Sequence, residues 1–82
     1  MGMIFGKYGL YVTFKDGSKG FVMKIKDDFL MTTSTFQNAE KFMSENSAIE
    51  YGRRHDILNT FNENMSKVDE IYLYSDGKLF RM

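Results

Sequence analysis

Two Asp-Gly dipeptides, Asp16-Gly17 and Asp76-Gly77, each lie between runs in which apolar and polar residues alternate. A tight two-residue hairpin turn needs positive φ, and Asp-Gly adopts it at low cost. The chain has no proline, so its turns fall to Gly, Asp, Asn and Ser. It is therefore committed to two antiparallel hairpins far apart in sequence.

Strand side chains alternate between faces, so a turn centre fixes what each face carries. With Asp16-Gly17 as a two-residue turn, Lys15 faces Ser18, Val12 faces Phe21 and Tyr11 faces Val22. One face then carries Tyr8, Leu10, Val12, Phe14, Phe21, Met23 and Ile25, and this is the expected core face. The other carries Gly9, Tyr11, Thr13, Gly20, Val22 and Lys24. Asp27-Asp28 reads as a second turn into a strand over Phe29–Thr33, with Leu30 opposite Ile25. Asp76-Gly77 joins Val68–Ser75 to Lys78–Met82. Ile71, Leu73, Phe80 and Met82 then face the core, and Tyr72, Tyr74, Leu79 and Arg81 face away.

Helical sequence lies between the hairpins. Ser34 with Gln37, and Ser47 with Glu50, have capping-box spacing. Phe36, Ala39 and Met43 recur at helical intervals after the first, and Tyr51, Leu58, Phe61 and Met65 after the second. The spacing predicts a short helix near 35–44 and a longer one near 48–65, the latter weakened by Gly52. The expected fold is a single α+β domain over residues 1–82, an antiparallel β-sheet with two helices on one face, in the order β-β-β-α-α-β-β. Leu10, Val12, Phe21, Met23, Ile25, Leu58, Phe61, Ile71, Leu73 and Phe80 are the expected core.

Composition narrows the chemistry. Eleven Lys and Arg balance eleven Asp and Glu, so no bulk charge draws the chain to nucleic acid or anionic lipid. Without cysteine, disulfides, thiolate metal sites and cysteine nucleophiles are excluded. The one histidine, His55, adjoins Asp56, but neighbours on a helix point about 100° apart and do not form a pair. Asp27-Asp28 lacks the further oxygen ligands of a calcium loop. Gly17-Ser18-Lys19-Gly20 lies between two strands, unlike a phosphate loop. No enzyme, cofactor or metal is expected. No apolar run approaches the roughly 20 residues of a membrane span, and the charged-then-apolar pattern of a secretory leader is not visible. The expectation is a cytoplasmic protein.

The strand positions facing away from the core are unusually apolar. Tyr11, Val22, Phe29, Met31, Tyr72, Tyr74 and Leu79 lie there, with Lys24, Lys26 and Arg81 interleaved. Such a face is either an interface or is covered by Ile4 and Phe5. Tyr11, Lys24, Tyr72, Tyr74 and Arg81 are the candidate partner-binding residues. Arg53, Arg54 and His55 form a second, basic candidate.

A hairpin Tyr11…Asp16-Gly17-Ser18-Lys19-Gly20-Phe21 precedes Thr33-Ser34-Thr35-Phe36-Gln37-Asn38-Ala39-Glu40-Lys41-Phe42 and then Ser44-Glu45-Asn46-Ser47-Ala48. This layout resembles small accessory proteins of tailed bacteriophages over the first two thirds of the chain. The resemblance implies a class rather than particular residues: modulators or inhibitors that bind one host protein in the host cytoplasm. The expected function is non-enzymatic protein binding, with self-association as a homodimer a further use of the same face. The alternative is a small nucleic-acid-binding module that stacks bases on sheet tyrosines while lysines follow the phosphates.

Overall fold

A computed structural model describes residues 6–82. Five strands, β1 (Tyr8–Phe14), β2 (Lys19–Lys26), β3 (Phe29–Thr33), β4 (Val68–Ser75) and β5 (Lys78–Arg81), form one antiparallel sheet in the order β3-β2-β1-β4-β5. Among the described residues there is one α-helix, α1 (Glu45–Arg54), with 3₁₀ turns over Phe36–Asn38 and Ile57–Asn59. Ile4 and Phe5, expected as a possible cover, lie outside the described residues.

The two Asp-Gly dipeptides make different turns. Asp76 and Gly77 both have positive φ, 49° and 78°, as the two-residue hairpin requires. The expected pairs Leu73–Phe80 and Tyr72–Arg81 are present. At the first hairpin Gly17 has φ 92° but Asp16 does not have positive φ. The Phe14 N–H donates to the Ser18 carbonyl at 2.8 Å, which makes Lys15-Asp16-Gly17 a three-residue loop. Asp16 holds that shape by accepting from the Ser18 N–H (2.8 Å) and Ser18 Oγ (2.6 Å), while its own N–H donates to Ser66 Oγ. The register therefore moves by one residue, with Tyr11 opposite Phe21 and Val12 opposite Gly20. Phe21 turns away from the core, and Val22 is fully buried in it. A bulge between Val22 and Lys24 then shifts the alternation back. Ile25 returns to the core side opposite Leu30, and Lys24 lies on the outer face, as expected. Asp27 and Asp28, at φ 52° and 66°, form the turn between β2 and β3.

The helical segments differ most from expectation. Ser44, not Ser47, caps α1, its side chain accepting from the Ser47 N–H at 3.1 Å. Ala48 and Gly52 are buried against the sheet. A Cβ on Gly52 would stand 3.4 Å from Ile71 Cδ1 and 3.7 Å from Leu10 Cδ1, in ordinary contact, so this face of the helix lies directly on the core. The helix ends where Asp56 takes a left-handed conformation, φ 47°, a common helix stop. The expected helix over 48–65 is therefore cut short. Ile57 is buried in the 3₁₀ turn that follows, while Leu58 is 48% exposed.

The expected helix over 35–44 is a 3₁₀ turn, and it lies on the opposite face of the sheet from α1. Phe36 packs over Gly9, on the side of Tyr11 and Tyr74. The chain then passes between two strands to reach α1. The Glu40 N–H donates to the Val22 carbonyl of β2, and Phe42 exchanges hydrogen bonds with Tyr8 of β1. Two helices on one face are thus replaced by one helix on the core face and a 3₁₀ turn on the other.

Leu10, Val12, Val22, Leu30 and Ile57 are the largest fully buried side chains. Phe14, Phe42, Ala48, Val68, Ile71 and Leu73 complete the cluster. Of the expected core, Phe21, Met23, Ile25 and Phe61 are half-buried, and Leu58 and Phe80 are exposed. Phe80 has the expected facing, but α1 stops short of covering it, so it remains 51% exposed.

Candidate interaction face

The outer face of the sheet is built around five aromatic rings. Tyr11 and Phe21 meet edge-on at 4.9 Å between centroids, directly opposite one another across β1 and β2. Phe21 meets Tyr74 edge-on at 5.0 Å. Phe36, delivered by the 3₁₀ turn, lies 4.5 Å from Tyr74 and 5.8 Å from Phe21. Tyr72 stands 6.4 Å from Tyr11. All five are half-buried. Such pairs contribute about 0.5–1.5 kcal/mol each beyond area burial, so the cluster holds its own shape.

Gly9 makes the arrangement possible. A Cβ there would lie 2.6 Å from Phe36 Cε1, far inside carbon–carbon contact. The missing side chain is the seat for the Phe36 ring.

Charged groups share the face with the rings. The pairing and alternation of the strands place Lys19, Lys24, Lys26 and Arg81 on this face. Lys41 Nζ lies 5.1 Å from the Phe36 ring centroid and donates to the Gln37 and Ala39 carbonyls. Glu70, on the same face, is already engaged. It accepts from the Tyr72 hydroxyl at 2.7 Å and pairs with Arg81 at 2.6 Å. The hydrogen bond to Glu70 holds the Tyr72 phenol above its ordinary value, since ionisation would break it and place two anions together. With Glu70 paired to Arg81, Lys19, Lys24 and Lys26 outnumber the one further carboxylate that acts on Tyr72, that of Asp69.

Of the sequence candidates, Tyr11, Tyr72, Tyr74 and Arg81 fall within or beside this cluster. Lys24 lies on the same face, two strands away from β4. Phe21 and Phe36 are the residues that sequence reasoning missed. Phe21 was hidden by the one-residue register error, and Phe36 by the assumption of a core-facing helix. Arg53, Arg54 and His55 sit at the far end of α1, on the other side of the sheet. All three are exposed; Arg53 pairs loosely with Glu50 at 3.9 Å, and His55 lies 4.4 Å from the Tyr51 ring.

The chain matches no family model, no curated protein and no solved structure. Among the described residues no three His, Cys, Asp or Glu side chains group as a metal site. No helix there is long and apolar enough to cross a membrane.

Proposed function

We propose that this is a non-catalytic binding protein whose outer sheet face docks on an acidic, partly apolar patch of a partner protein. The observation that carries this reading is the half-exposed ring cluster of Tyr11, Phe21, Phe36, Tyr72 and Tyr74 on a face that also carries Lys19, Lys24 and Lys26. Tyrosine offers a flat apolar ring and a hydroxyl together, and Tyr and Arg are enriched where binding energy concentrates. The lysines steer an acidic partner towards the face. The phage-like layout of the first two thirds supports a specific version, a modulator or inhibitor of a host protein acting in the host cytoplasm.

Base stacking on the same tyrosines is the competing reading, and the lysines favour it. It needs bare ring faces. Here Tyr74 is taken up by Phe36 on one side and Phe21 at its edge, which favours a protein partner.

The test is affinity capture from host lysate with wild-type protein and a Lys24→Glu/Tyr72→Ser variant, each with and without nuclease. The variant should fold, by circular dichroism, and lose the captured protein. Capture by the folded variant at wild-type level overturns the reading. Capture that disappears with nuclease, and weakens steeply with salt, replaces it with nucleic-acid binding.

A further inference from the structure

The two edges of the sheet are treated differently. The edge at β3 is covered at its start, where Phe61 accepts from the Leu30 N–H and donates to the Asp28 carbonyl. The edge at β5 has no such cover among the described residues. In antiparallel pairing alternate residues point their backbone groups at the neighbour. The Met82 N–H donates to the Ile71 carbonyl at 3.1 Å, and Lys78 and Phe80 share its parity. The N–H and C=O groups of Leu79 and Arg81 therefore point outwards, free to pair with another strand.

Beneath that edge, on the core face and away from the ring cluster, runs a groove of about 590 Å³. Ile49, Gly52, Ile57, Leu58, Phe80 and Met82 line it on α1, the following 3₁₀ turn and the end of the chain. Leu58, Phe80 and Met82 are 48%, 51% and 46% exposed, and Leu79 on the other side of β5 is 47% exposed. Open backbone and uncovered apolar side chains coincide here.

We propose that the occupant of this edge is a second copy of the chain, paired β5 to β5 about a two-fold axis through Phe80. Symmetric antiparallel pairing allows three registers within reach. Centring on Arg81 sets that arginine against its own copy, a repulsive pair. Centring on Leu79 spends one bonded position on Gly77, which is in the turn at φ 78°. Centring on Phe80 sets Leu79 against the partner's Arg81, so both outward-facing residues of each copy bond reciprocally and no like charges are opposed. It also sets Phe80 directly against the partner's Phe80, in the close, non-hydrogen-bonded type of pair. Each ring then closes the mouth of the other copy's groove.

The area is enough for a weak dimer. At about 200 Å² for a fully exposed residue of this size, the exposed halves of Leu58, Leu79, Phe80 and Met82 come to about 400 Å² per copy. Two copies supply about 800 Å², and the strand backbone and arginine stems carry the interface past the roughly 1,000 Å² expected of a specific contact. The dimer is therefore concentration-dependent and dissociates on dilution.

Sedimentation equilibrium across micromolar to millimolar protein tests this. Wild-type mass should rise from monomer to dimer and no further. Leu79→Pro removes an outward N–H that β4 does not use, a place where an edge strand tolerates proline, and should leave a folded monomer. Phe80→Glu places two carboxylates at the two-fold axis and should do the same without touching the backbone. Lys24→Glu, on the other face and three strands away from β5, should leave the dimer intact. A wild-type chain that stays monomeric at millimolar concentration overturns the proposal. So does a dimer that survives Phe80→Glu, or one that Lys24→Glu abolishes.

Discussion

Gly9→Ala should destabilise the domain, although the same change at an unobstructed site stabilises it by about 0.4–1 kcal/mol through the unfolded chain. The added Cβ would sit 2.6 Å from Phe36 Cε1 and 3.1 Å from Cδ1. Carbons in ordinary contact are about 3.5–4.0 Å apart, so the ring has to retreat by about 1 Å. It has no easy retreat, being held against Tyr74 and Phe21. Losing those two aromatic pairs costs about 1–3 kcal/mol in all. Set against the entropic gain, the net destabilisation is about 1–2 kcal/mol. Stability for a domain of this length is about 4–12 kcal/mol, and with a urea slope near 1 kcal/mol/M the midpoint should fall by roughly 1–2 M. Near-UV circular dichroism should weaken as the ring cluster loosens. The decisive comparison is a double-mutant cycle: with Phe36→Ala already present, Gly9→Ala should become neutral or stabilising. If Gly9→Ala is no less stable than wild type, or costs the same with and without Phe36, then Phe36 is not seated on Gly9 and the outer face is built differently.

Other expectations follow from the same contacts. Leu73→Ala, at a site 7% exposed, should cost about 2–5 kcal/mol in chemical denaturation, the range for large-to-small core changes. Gly77→Val should cost about 1 kcal/mol or more, since a β-branched residue resists φ 78°; an unchanged melting temperature would argue against that turn. Hydrogen bonds from Ser18 lower the Asp16 carboxyl below its ordinary value. Its contribution to stability is thus present above the unfolded pKa and lost as pH falls through the folded one, and Asp16→Ala should flatten that acid limb. Tyr72 is raised, so its contribution is present below the ordinary tyrosine pKa and lost as pH rises through the folded value. Ultraviolet titration of Glu70→Gln should show this phenol ionising at lower pH than in wild type.

How much of this was legible in the sequence depended on what each turn needed from elsewhere. Asp76-Gly77 closes on local chemistry alone, and its register and both faces were readable. Asp16-Gly17 is the same dipeptide, but it is fixed by Ser18 and by Ser66, which lies 50 residues away in sequence. No local pattern reveals that contact, and one residue of slip moved Phe21 from one face to the other. Lys24 and Ile25 were placed correctly because the bulge after Val22 cancelled the slip. The helix over 48–65 failed for a different reason. Asp56 turns left-handed and breaks the apolar stripe, leaving Tyr51 on α1, Phe61 at the β3 edge, and Leu58 and Met65 exposed. Phe36 was misplaced because helical spacing does not say which side of a sheet a segment will cover.

The position of β1 has a consequence for how the molecule is made. It is the first of the described strands and sits in the middle of the sheet, yet its β4 partner lies about sixty residues downstream. While the chain emerges from a ribosome, β1, β2 and β3 can pair, but the other side of β1 presents a bare edge bearing Leu10 and Val12. That edge stays open until Val68 and the strand after it appear. Long-range pairing of this kind is slow to form and leaves sticky intermediates exposed. A ribosome stalled before Val68 should hold a chain that is protease-sensitive and bound by holdase chaperones, and release past Ser75 should end both conditions together.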